Sequence, residues 1–204
     1  MLFLALGSVG FAQTDIKQLL KSMEETHKEV QSFQADFVQT TKNDAFPEPV
    51  IQTGHMYAKK PKHVRWDFLK PMVQSYYTDG ETITIWNELQ NQVLISSATQ
   101  DGSNVFDVLT DFTSVSKKYD ISIKQESADA YVLSVAPTKE IPFDTLEITM
   151  TKKDYFVSKI YYYEKATGSV SVEFSNISLN SITDDKVFVF VPPEGAEVTN
   201  LEEQ

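Results

Sequence analysis

Between Gly54 and Trp86 the chain alternates short apolar and polar runs, cut by turn residues at intervals too close for helices. It runs Gly54-His55-Met56-Tyr57, then Lys60-Pro61, Arg65-Trp66, Pro71, Asp79-Gly80 and Ile85-Trp86. That pattern requires consecutive antiparallel strands. Asp79-Gly80 predicts a hairpin with a type I′ turn. The two Lys-Pro steps mark strand ends, where a missing amide donor does least harm. Both tryptophans of the chain fall in this stretch, on strands too close together to fill one thin core.

The same reading extends outward. An amphipathic helix is predicted over Asp15–Val30, with Ile16, Leu19, Leu20, Met23, His27 and Val30 on one stripe. Phe33, Ala35 and Phe37 begin a first strand. Five more follow, at Ile51–Ala58, His63–Phe68, Gln74–Thr78, Thr82–Trp86 and Gln92–Ser96. From Asp101 the period changes: Val105, Val108, Leu109 and Phe112 read as a short helix capped at Ser103 or Asn104. Strands resume at Asp120–Gln125, Tyr131–Ala136, Thr145–Thr151, Phe156–Glu164 and Val170–Leu179. Phe188-Val189-Phe190 reads as a last strand, stopped by Pro192-Pro193, before a polar tail. The expected fold class is mainly β with an α lid. It is an unclosed antiparallel β-barrel of about eleven strands, curled by twist and covered by a few helices.

Residues 1–12 are apolar and end in small residues, which reads as a signal-peptide remnant without its basic start. Residues 13–204 read as one domain, with no shift in composition to mark a linker. The expected mature protein is exported and soluble. The net charge of −11 (18 basic less 29 acidic residues) opposes binding to nucleic acid or to anionic headgroups. The absence of cysteine removes disulfides, thiolate metal sites and a lipid-modified N-terminal cysteine.

Enzyme signatures are missing. There is no G-x-S-x-G elbow and no glycine-rich phosphate loop. His55 and His63 with Asp67 are the one candidate metal cluster, and their spacing is not that of a zinc site. No cofactor or metal is expected. A sheet with so many large side chains suits holding something apolar better than chemistry.

Three places carry a family resemblance. Val30-Gln31-Ser32-Phe33-Gln34-Ala35-Asp36-Phe37-Val38-Gln39 is one. The order Gly, Lys-Pro, Arg-Trp, Pro, Gln, Asp-Gly-Glu-Thr from Gly54 to Val93 is the second. Phe188 to Val198 is the third. Together they resemble the periplasmic outer-membrane lipoprotein carriers of the LolA family, over nearly all of residues 14–200. The resemblance implies a hydrophobic cavity between half-barrel and lid that takes lipoprotein acyl chains. It also implies cargo received from an inner-membrane ATP-driven transporter, delivery to an outer-membrane acceptor, a periplasmic location and a monomer. A lipid- or lipoprotein-sensing regulatory domain and a carrier of another lipid are the alternatives within the same fold.

Candidate lipid-binding residues are Phe33, Phe37, Tyr57, Trp66, Phe68 and Trp86 from the sheet, with Leu19, Met23 and Phe112 from the helices. Met23, Met56 and Met72 offer adaptable side chains for weak binding. The resemblance implies a lid contact at Lys60, where the family commonly has arginine; lysine lacks arginine's planar fork. Arg65, next to Trp66 in a strand, points to the opposite face and does not inherit that contact.

Overall fold

Alternation in the sequence becomes pleat in the structure with small shifts at strand ends. The computed structural model describes residues 14–43, 47–98, 117, 119–136 and 143–201. The expected leader, the helical insert and Phe112 lie outside the described residues.

Helix α1 spans Ile16–His27, capped by Asp15, whose carboxylate accepts from the Lys17 N–H at 3.1 Å. It ends three residues before the predicted Val30. There the chain turns into the sheet: the Gln31 N–H goes to the Asn180 side chain (2.7 Å), and the Gln31 carbonyl accepts from Lys60 N–H (2.8 Å). Strands β1 (Ser32–Lys42), β2 (Val50–Lys59), β3 (His63–Lys70), β4 (Gln74–Thr78), β5 (Thr82–Asn87) and β6 (Gln92–Ser97) form one antiparallel meander. Strands β7 (Ile121–Glu126), β8 (Ala130–Val135), β9 (Thr145–Thr151), β10 (Val157–Glu164) and β11 (Gly168–Leu179) form another. Pairing of β1 with β11 joins the two. The final strand, β12 (Glu197–Asn200), adds parallel to β6. The result is one twelve-stranded sheet with order β12-β6-β5-β4-β3-β2-β1-β11-β10-β9-β8-β7, unclosed between β12 and β7. The fold is therefore the expected half-barrel, with α1 across its inner face.

Two local expectations are corrected. Phe188-Val189-Phe190 is not a strand: Asp185–Phe188 forms a 3-10 turn, and the strand comes later, at Glu197–Asn200. Pro192 and Pro193 lack the amide donors a ladder needs, and Phe188 and Phe190 are spent on aromatic contacts described below. The Asp79-Gly80 turn is not type I′ either. Gly80 alone takes a positive φ, 91°, while the Asp79 carboxylate accepts from the N–H groups of Thr82 (2.8 Å) and Glu81 (2.9 Å). Those bonds favour the ionised form and hold the Asp79 carboxyl below its usual range.

Gly54 has a packing reason. A Cβ there would lie 1.8 Å from the Asp67 carbonyl oxygen and 2.8 Å from the Phe37 ring. Only glycine lets β3 and the aromatic ring close over β2 at this point.

Candidate functional site

The inner face is mostly apolar. On the β1–β4 side, Phe33, Ala35, Phe37, Met56, Ala58, Val64, Trp66 and Phe68 are buried in one cluster. On the β8–β11 side the same cluster continues through Leu133, Leu146, Ile148, Met150, Ile160 and Val172. Aromatic rings dominate the first side; on the second, aliphatic side chains are interspersed with Tyr131, Phe156 and Phe174. The Phe37 ring stands edge-on to Trp66 and to Phe68, both at 5.1 Å; Trp66 and Phe68 stack at 6.0 Å. Each such pair contributes roughly 0.5–1.5 kcal/mol beyond its area.

Helix α1 supplies Leu19 and Met23 to this cluster, each 2% exposed. Its polar side keeps ordinary surface contacts, such as Lys21 with Glu25 at 3.8 Å, worth little in water. The C-terminal end of α1 is fastened more specifically. The Lys60 ammonium donates to the His27 carbonyl at 3.1 Å. A cation at a helix C-terminus meets the unsatisfied carbonyls and the negative end of the macrodipole. The His27 ring stacks on Phe156 (5.7 Å) and lies 3.4 Å from the Asp154 carbonyl. Burial first, and then Lys60, lower the His27 pKa below its ordinary 6.5.

The structure therefore gathers Leu19, Met23, Phe33, Phe37, Trp66 and Phe68 on one face and sets Lys60, just after β2, against the C-terminal end of the helix that covers it. It does not bring Tyr57 and Trp86 there. Tyr57 is paired with Gln34 and Arg65, out of phase with Met56; Trp86 is paired with Ser75 and Val93, out of phase with Ile85. Both belong to the outer face. Met72 is also displaced, lying exposed in the turn between β3 and β4.

That outer face has its own construction. Arg65 sits between the Tyr57 and Tyr77 rings, 5.5 and 5.2 Å from their centroids. It bonds Asp67 (3.0 Å) and donates to the Val187 carbonyl (3.2 Å). Residues 180–196 thus form a strap over β2–β6. Lys59 pairs with Asp185, His63 stacks on Phe188 (5.6 Å), and Phe190 meets Tyr77 (5.2 Å) and Trp86 (5.7 Å). Sequence reasoning missed this cluster. The signal was there in the aromatic pair Phe188 and Phe190 at a spacing of two, yet nothing local says where the strap lands.

The metal reading of His55, His63 and Asp67 does not hold geometrically. His55 Nδ1 is 2.6 Å from Asp36, while His63 is turned to Phe188 and Asp67 to Arg65. The Asn176 amide, also 2.6 Å away, and His55 lower the Asp36 pKa. Among the described residues no three His, Cys, Asp or Glu side chains are placed to hold a metal ion. A polar recess of about 470 Å³ lies at the tips of the β1–β2 and β10–β11 hairpins, lined by Lys42, Glu48, Tyr163 and Lys165 among others. Its lining does not suit an acyl chain. No helix among the described residues is long and apolar enough to cross a membrane.

Comparison with known proteins agrees with this geometry. Residues 28–191 match the family model described as outer membrane lipoprotein carrier protein LolA. An outer-membrane lipoprotein carrier protein of Helicobacter hepaticus is 27% identical over 172 residues, covering 84% of this chain and 85% of that one. Among solved structures, an uncharacterized conserved protein of Thermus thermophilus superposes with a TM-score of 0.60 at 14% identity, covering 91% and 99% of the two chains. A LolA superfamily protein of Nitrosomonas europaea gives 0.50 at 14% identity, covering 87% and 99%. These two structures share the fold. With an apolar half-barrel, a covering helix and a family match over most of its length, the chain belongs to the LolA family of outer-membrane lipoprotein carrier proteins.

Proposed function

We propose that this protein is a periplasmic carrier. It shields the acyl chains of lipoproteins on the inner face of the half-barrel while they cross between membranes. The observation that carries the reading is the aromatic inner face, Phe37, Trp66 and Phe68, roofed by α1. The covering helix meets the sheet through buried apolar side chains and one lysine hydrogen bond.

The physical demand fits. Each exposed CH₂ costs about 0.8 kcal/mol, so one long acyl chain in water costs on the order of 10 kcal/mol. The carrier must hide that surface, yet release it without an energy source. When empty, it must also hide its own apolar face, or aggregate. Helix α1 answers both needs by trading places with the cargo. Undocking Leu19 and Met23 costs about 1.5–3 kcal/mol each, well below what an acyl chain returns. Lys60 acts as the latch, with a single point contact in place of arginine's fork.

In this reading no bond is made or broken and no cofactor takes part. An inner-membrane ATP-driven transporter loads the cargo, an outer-membrane acceptor takes it, and the carrier works as a monomer. The test is co-purification of the carrier, from cells expressing it, with a tagged lipoprotein and with its non-acylated Cys→Ser counterpart. A soluble one-to-one complex with the acylated form alone is expected. Equal recovery of both forms, or of neither, refutes the proposal.

A further inference from the structure

One row across the inner face changes chemistry abruptly. From β8 to β2 the directly opposed residues are Leu133, Ile148, Ile160, Val172, Gln39 and Gln52. The first four are aliphatic and at most 2% exposed. The last two are half-buried carboxamides, and Gln39 Nε2 donates to Gln52 Oε1 at 3.2 Å. Parity fixes their direction. Gln39 follows Phe33, Ala35 and Phe37 at a spacing of two, and Gln52 precedes Gly54 and Met56 in the same way. Gln74, opposite Phe68, continues the polar surface on β4.

A carboxamide has two N–H donors and two acceptor lone pairs. The mutual bond uses one donor of Gln39 and one lone pair of Gln52, and among the described residues neither side chain has another partner. One N–H of Gln39 and both of Gln52 remain for a guest. Two more aliphatic residues would have extended the row without the penalty of half-burying amides. We propose that the Gln39–Gln52 pair is a carbonyl-binding subsite, taking the ester or amide carbonyls where acyl chains join the rest of the cargo. This inference rests on the carrier reading and adds a chemical preference to it. Neutral donors suit a neutral carbonyl. A free carboxylate calls for Lys or Arg, and the row holds neither. A chain anchored at the pair meets Phe37 next along β1 and Val172 next across the sheet, both in the apolar cluster.

The probes are a pair of labelled glyceryl-cysteine lipopeptides of equal chain length. One carries its chains as esters and the other as ethers, so only the carbonyls differ. Fluorescence anisotropy should show the ester form binding about fivefold tighter, as expected for one or two neutral hydrogen bonds. Gln39→Leu with Gln52→Leu, aliphatic like the rest of the row, should bind both forms equally, at the affinity of the ether form. Isotope-edited infrared spectra of the unmodified protein should show the bound ester carbonyl stretch below its value in hexadecane, a readout that needs no variant to fold. Equal binding of both forms to the unmodified protein overturns the subsite and leaves the carrier reading standing. So does an ester preference kept by the double variant, or an ester stretch at its hexadecane value. Binding of neither form removes the carrier reading, and the subsite with it.

Discussion

Trp66 and Trp86 lie two strands apart and meet opposite fates. Trp66 joins Phe37 and Phe68 on the inner face, beneath a helix; Trp86 joins Tyr77 and Phe190 on the outer face, beneath the strap. Both clusters are aromatic and both are covered. The covers differ. The strap is pinned along its length by an ion pair, an arginine hydrogen bond, three ring contacts and finally a strand in the sheet. Helix α1 is held by a greasy stripe and by the lysine and histidine contacts at its last residue. A cover bound mainly by apolar contact can be exchanged for another apolar body. A cover woven into the ladder cannot be exchanged without breaking the sheet.

The largest effect should come from erasing the distinction. Gly54→Val drives a side chain into the Asp67 carbonyl and the Phe37 ring, separating β2 from β3 under both faces. A loss of more than about 4 kcal/mol is expected, read as one denaturant transition that both tryptophans follow. Separate transitions would mean that the faces are independent.

Phe37→Ala should cost about 3–5 kcal/mol, as for other buried rings, and abolish acyl binding. Phe190→Ala, on the less buried outer cluster, should cost about 1–2 kcal/mol by lost apolar area and leave acyl binding intact. Chemical denaturation with a lipopeptide-binding assay separates the two.

Leu19→Glu puts a carboxylate into the apolar seam and should lift α1 while the sheet stays folded. Binding of a hydrophobic dye should rise several-fold with little change in far-ultraviolet dichroism. Lys60→Met should act in the same direction but more weakly, since one hydrogen bond from a charged group contributes about 1.5–3 kcal/mol at most and the site is partly solvated.

The smallest effect should be a pH dependence. The docked His27 ring has its pKa lowered, mainly by burial and then by Lys60. The undocked ring takes a proton more readily. Docking is therefore at full strength above the ordinary value of 6.5 and weakens as pH falls through it toward the lowered value. Dye binding should rise below that pH, and His27→Phe, which keeps the stack on Phe156, should flatten the rise.

Much of this was legible in the alternation. Strand positions followed from period two, and the opposition of Arg65 and Trp66 followed from their adjacency. Tyr57 and Trp86 went to the wrong face because size was allowed to decide what parity should have decided. In β2 the inward residues are the small and flexible ones, Gly54, Met56 and Ala58, which make room for Phe37 and Trp66 from the neighbouring strands. Trp86 could be placed only through the β4–β5 register, which pairs Tyr76 with Ile85. The strap was illegible for another reason: Phe188 and Phe190 find partners more than a hundred residues away in sequence, at Tyr77, Trp86 and His63, and no local period encodes that landing.

The two tryptophans also supply the decisive test. Bromine on an acyl chain quenches indole emission only at contact. A brominated lipopeptide should quench the Trp66 emission of the Trp86→Phe chain and leave the Trp86 emission of the Trp66→Phe chain unchanged. Quenching of Trp86, or of neither, would contradict the assignment of the inner face as the place where lipid is held.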